Sequence, residues 1–257
     1  MAKMLSNIGK LTPDLFALSV SLGHQPGWRN YRKFGRNDDI DGNEEVWELG
    51  TARVLPSAAA VLAIVSSSTA DDAVATGTGA WTIQVEGLDA NYDEISEVIT
   101  LDGTVSVGSS ASFLRVNRAY IVTAGTGESN AGNITVSIGG DAQAYIEATE
   151  GQTHQTHYTV PNEHVLMVHG FSLVAGTIGG SNHIILESQI KLFGTNTAWR
   201  TISAIDLVDG QAYHSHPNQG ATIIPAKTEI RQRAIFSGSN AELSSIFVGY
   251  LVHTDYI

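Results

Sequence analysis

From residue 51 onward, apolar and polar positions alternate with a period of two. In "WTIQVEG" (81–87), Trp81, Ile83 and Val85 alternate with Thr82, Gln84 and Glu86, the pattern of a half-buried strand. "ISEVITL", "FLRVNRAYIV" and "NITVSIGG" continue the series, punctuated by "LDANYDE", an Asp102-Gly103 turn and the Gly-rich "TAGTGESNAG". A two-residue Asp-Gly turn is a hairpin signal. Beyond residue 150, strands are predicted in "HYTV", "HVLMVHGFSLVAG", "HIILESQIKLFG", "WRTISAIDLV", "TEIRQRAIFSG" and "SSIFVGYLVH". Pro161, Pro217 and Pro225 fall between these strands, where a missing N–H does no harm. One helix is predicted, within "PDLFALSVSL".

Residues 1–50 break the pattern. "GHQPGWRNYRKFGRNDDIDG" carries Gly, Pro, Asn and Asp at loop-like density. It also holds Trp28, Tyr31 and Phe34, with Trp47 close behind. Aromatic-rich segments are atypical of disorder, so this region reads as an extended arm whose aromatics are buried against its own body or a neighbouring subunit. The predicted architecture is all-β: two antiparallel β-sandwich domains, at 51–149 and 150–257, preceded by an extended N-terminal arm at 1–50. The second sandwich is expected to be jelly-roll-like.

Composition sharpens this reading. Charged residues make up only 16% of the 257-residue chain, too few for the exposed faces of a helical enzyme. A formal net charge of −12 disfavours direct nucleic-acid binding, because phosphates would be repelled. Arg29, Arg32, Lys33 and Arg36 form a basic group that either docks a partner or offsets the acidic run at 38–48. With no cysteine, disulfides and thiolate sites are excluded. "LFALSVSLG" is short and has no small-residue cleavage site, so neither a secretory signal nor a membrane partner is expected.

The candidate chemistry is sparse. From Asn37, the calcium-loop template finds Asn37, Asp39, Asp41, Gly42 and Glu48 in register. Its context fails: Gly35 precedes, Gly50 and Pro56 follow, and Glu44 stands where an aliphatic residue belongs. The segment reads as a turn-rich acidic loop, and no metal or cofactor is expected. His154/His157 and His214/His216 are close pairs, but no third ligand is fixed by spacing. They read as surface or inter-subunit histidines, with "YHSHP" suited to a symmetry axis. No nucleophile elbow, P-loop or dinucleotide fingerprint is present, and no catalytic residue is assigned.

"YRKFGRNDDID…EEVWELG" and "TGAWTIQVEGLDANYDEISEVITLDGT…FLRVNRAYIVTAGTGESNAGNITV" resemble virion structural proteins of tailed bacteriophages. The shared pattern comprises 33–37, 39–41, Val46-Trp47, 87–95 and 113–116, with an echo in "YTVP" at 158–161. The resemblance covers about 31–161 and implies a non-enzymatic virion component assembled in the host bacterial cytoplasm. A capsid decoration or cement protein is the leading expectation, with the major capsid protein or other virion proteins as partners and a homotrimer as its own state. A tail, baseplate or head-fibre component is the alternative. Outside the virion class stand a carbohydrate-binding module using Trp81 or Trp199 and a β-sandwich hydrolase or lyase. The candidate interface residues are Trp28, Arg29, Tyr31, Arg32, Phe34, Arg36 and Trp47, since aromatics and Arg dominate interface energetics.

Overall fold

Alternation becomes strand where one face has a core to fill, and the chain fills two such cores. The computed structural model describes residues 13–178, 183–194, 196–215 and 221–257. The first core belongs to β2 (Ala60–Ser66), β3 (Ala80–Leu88), β4 (Glu94–Thr100), β5 (Val107–Phe113), β6 (Arg115–Ala124), β7 (Ile134–Ile138) and β8 (Asp141–Ile146). These form a three-stranded sheet, β4-β3-β6, and a four-stranded sheet, β5-β2-β7-β8. Their inner faces share Leu62, Ile64, Ile83, Val85, Phe113 and Ile134, all buried.

The second core lies between β1 (Trp28–Ile40), β9 (Tyr158–Thr159), β10 (His164–Ile178), β11 (His183–Lys191), β12 (Arg200–Val208), β13 (Ala212–His214), β14 (Thr222–Ile224), β15 (Glu229–Ile235) and β16 (Ala241–His253). One sheet runs β1-β16-β10-β13, with β14 also on β10, and the other runs β12-β11-β15-β9. All these pairs are antiparallel. When β13 and β14 count as one interrupted strand, this is the eight-stranded pairing of a jelly roll. The first sandwich is therefore inserted between two successive jelly-roll strands, β1 and β9.

The segment assigned to an arm is extended, but 28–40 is not detached. It pairs with β16 from Trp28↔Val252 to Asn37↔Leu243 without a register break. The sequence hid this strand because its inward residues include Lys33, Gly35 and Asn37, which are buried yet not hydrophobic. The predicted helix is present as α1 (Pro13–Ser21), and its Phe16 meets Trp28 and Tyr250 edge-on.

Two local expectations change. Trp81 is only half-buried, because register shifts around Thr82 in the β3–β6 pair take it out of step with Ile83 and Val85. The Asp102-Gly103 turn is tight, with Val105 N–H on the Asp102 carbonyl at 2.9 Å. It carries the chain from one sheet to the other, since β4 pairs with β3 and β5 with β2. The short β13 and β14 lack the alternation that betrays longer strands.

Candidate functional site

The two sandwiches meet along a seam of buried polar groups, and β1 supplies one wall. A Cβ on Gly35 would lie 2.4 Å from Thr156 Cγ2 and 2.9 Å from the Val46 carbonyl, so only glycine lets these backbones approach. Thr156 N–H donates to that carbonyl at 3.1 Å, and Arg36 N–H to the His154 carbonyl at 3.4 Å. Lys33 extends across the seam and donates to the Asn117 carbonyl. Burial, with Arg53 and Arg118 nearby, pulls its ammonium down to about 7.

Two carboxylates anchor the seam. Glu229 of β15 accepts from Arg115 Nε of β6 at 2.6 Å and from Thr159 Oγ1 at 2.5 Å. Arg115 also caps the Pro56 and Leu114 carbonyls. Glu45 accepts from Arg231, from Arg53 N–H at 2.9 Å and from His157 Nε2 at 2.5 Å. Burial holds His157 down at about 4, with Arg53 adding to the effect. The ring is thus neutral with its proton on Nε2, which agrees with a buried, unpartnered Nδ1. His157 and Arg231 hold Glu45 at about 2 against the opposing effect of its burial. Asn117 completes the seam by donating to the Thr159 carbonyl at 3.0 Å and accepting from Thr159 N–H at 2.9 Å.

Beside the seam a cleft of about 440 Å³ opens between β1 and the β4-β3-β6 sheet. Its cations are Arg29, Arg32, Lys33 and Arg118, and its carboxylates Glu86 and Glu94. Arg29 and Glu94 pair across it at 2.7 Å. The Tyr31 hydroxyl, also in its wall, is buried without a hydrogen-bond partner among the described residues.

The acidic loop does not converge on one point. Asp38 pairs with Arg36, Asp41 accepts from Asn240 N–H, Glu44 from Asn37, and Glu45 faces His157. Glu48 lies 2.7 Å from His154 Nδ1, and Glu150 Oε2 lies 3.7 Å from His154 Nε2. These three residues bring ligand-type atoms within 4.8 Å of one another. Arg36 also reaches Glu150 at 3.2 Å, so ion pairs already engage the group. His154 and His157 are buried seam residues, which corrects the surface reading of that pair. His214 sits on exposed β13, and His216 lies outside the described residues.

The candidate interface residues separate in space. Trp47 is 1% exposed, donates Nε1–H to the Thr51 carbonyl at 2.8 Å and meets His157 edge-on. It is a core residue, so its assignment as a docking anchor is corrected. Tyr31 packs on Tyr158 and Phe247, Phe34 on His154, and Trp28 on Phe16. Arg36 is engaged by Asp38 and Glu150, which leaves Arg29 and Arg32 exposed on the cleft.

Residues distant along the chain meet at the seam. Residues 33–37 and Val46 line it, and Arg115 and Thr159 meet at Glu229. Tyr92, at φ +69°, accepts from Asn162 N–H at 2.7 Å, with Arg115 and Lys227 over its ring. Arg53, Arg115, Asn117 and Glu229 escaped the sequence reading because their partners are distant along the chain.

No protein-family model matches the chain, and no curated protein sequence matches it. Solved structures of infectious bursal disease virus contain similar chains. One from the Gx strain is 14% identical, covering 88% of this chain and 71% of its own, with a TM-score of 0.25. One from virus-derived T=1 particles is 12% identical, covering 94% and 76%, with a TM-score of 0.27. One from a VP2 subviral particle is 11% identical, covering 95% and 78%, with a TM-score of 0.22. Likenesses this loose carry no functional argument.

Proposed function

We propose that this chain is a non-enzymatic structural component of a tailed-phage virion, bound to the outside of the capsid, where it bridges neighbouring capsomers. The observation that carries the reading is the jelly roll with a second sandwich inserted between β1 and β9. Segments with virion-protein resemblance meet at the joint between the two. A cement protein must transmit load between neighbours without opening, and buried ion pairs across the joint suit that task. Jelly rolls also serve as lectins and cupin enzymes, so fold alone does not decide. Here the space between the jelly-roll sheets is largely occupied by side chains such as Leu166, Leu173, Leu186, Leu243 and Phe247, leaving a cavity of only about 80 Å³ between Phe171, Ile224 and Ile230. His154 and His157 lie at the seam, outside that core. The sugar-stacking alternative loses Trp199, because the Arg231 guanidinium covers its ring at 4.0 Å.

Re-addition tests the proposal. Particles made without this chain should release DNA at lower temperature, and purified protein should bind across the shell and restore the release temperature. Failure to bind, or binding confined to one vertex or the tail, contradicts the capsid placement.

A further inference from the structure

The cleft beside the seam has features of a peptide-docking site. Both β1 and β4 are end strands of their sheets, and the cleft lies between them, lined by Arg29, Asn30, Tyr31 and Arg32 on one side and Glu94 and Ser96 on the other. Arg36 N–H points away from β16, toward the His154 carbonyl. The β1–β16 register is unbroken over 28–37, so strand alternation turns the Asn30 and Arg32 N–H groups to the same open edge. An unpaired strand edge is a template for another strand.

The walls favour negative charge. Three arginines, Arg29, Arg32 and Arg118, face two carboxylates in the cleft, with Arg29 already paired to Glu94, although the whole chain carries −12. Arg32 is exposed and has no ion-pair partner among the described residues. The buried Tyr31 hydroxyl has no hydrogen-bond partner among the described residues, and an orphaned buried polar group is costly unless a ligand completes it.

We propose that this cleft docks an extended acidic peptide segment of a partner protein, which adds as a strand to the β1 edge at residues 30–32 and places its carboxylates against Arg32 and Arg118. Main-chain hydrogen bonds supply the register and the basic walls select the sequence. A phosphodiester chain suits the site less well, because Glu86 and Glu94 stand in the walls. The assignment goes beyond the virion reading and does not depend on it.

Fluorescence anisotropy with the full chain and a labelled Val-Glu-Val-Glu-Val-Glu peptide tests it. The acidic peptide should bind about tenfold or more tighter than its Lys counterpart. Arg32→Glu should abolish binding, and Tyr31→Phe, which keeps the ring packing, should weaken it several-fold at an unchanged melting temperature. N-methylation of alternate peptide nitrogens should block binding in one phase and spare it in the other, as a strand requires. Equal affinity for acidic and basic peptides, indifference to N-methylation in both phases, or an oligonucleotide that binds more tightly than the peptide would each overturn the proposal.

Discussion

Glu229 is the residue on which the joint between the sandwiches turns. Its side chain is 6% exposed and takes Arg115 Nε at 2.6 Å, with Arg53 a further 4.0 Å contact. Removing one partner of a buried pair leaves the other charge uncompensated. Glu229→Ala should therefore destabilise the protein by roughly 3–5 kcal/mol, read as a shift in urea midpoint. Arg115 and Glu229 are 114 residues apart, so no spacing rule could have paired them. Lys33 gives a second test. Its folded pKa of about 7 lies below the ordinary 10.5, chiefly through burial. Between those values the unfolded chain binds more protons, so stability should rise as pH increases from about 7 to 10.5 and level off below 7. In Lys33→Met that rise should be much smaller, as measured by denaturant melts across the window. An identical slope in both proteins would show that Lys33 is not buried as described.

At the scale of elements, alternation was legible in β3, β6, β7 and most of the jelly roll, but not in β2 and β8, although these bury Leu62, Ile64 and Ile146. β11, β12 and β15 fall within the strand segments that alternation predicts, and β10 and β16 run two and three residues beyond theirs, to Ile178 and back to Ala241. β1 was not legible as a strand, because a polar seam replaces the apolar face that periodicity detects. Its place in the jelly roll revises what truncation should do. Deleting residues 1–50 removes an edge strand along with buried Ile40, Val46 and Trp47, and the remainder should not fold cooperatively. Deleting 1–26 spares β1 and should preserve a single sharp thermal transition. Calorimetry of both truncations separates the cases: a sharp transition in the larger deletion would mean that β1 is dispensable.

At the scale of the molecule, the jelly roll keeps apolar groups on its outside. Phe34, Ile246, Val248 and Tyr250 are only partly buried on β1 and β16, and Ile223 is 62% exposed on β14. Together with the low charge density, this suits a self-associating protein. Light scattering of the isolated chain should give a trimer, and a concentration-independent monomer would refute that state. The central functional claim is that this chain is a part of the particle. Quantitative mass spectrometry of purified virions tests it most directly. The expected result is a copy number in the hundreds, as shell-wide symmetric attachment requires. Absence from washed particles, or a handful of copies per particle, would contradict it.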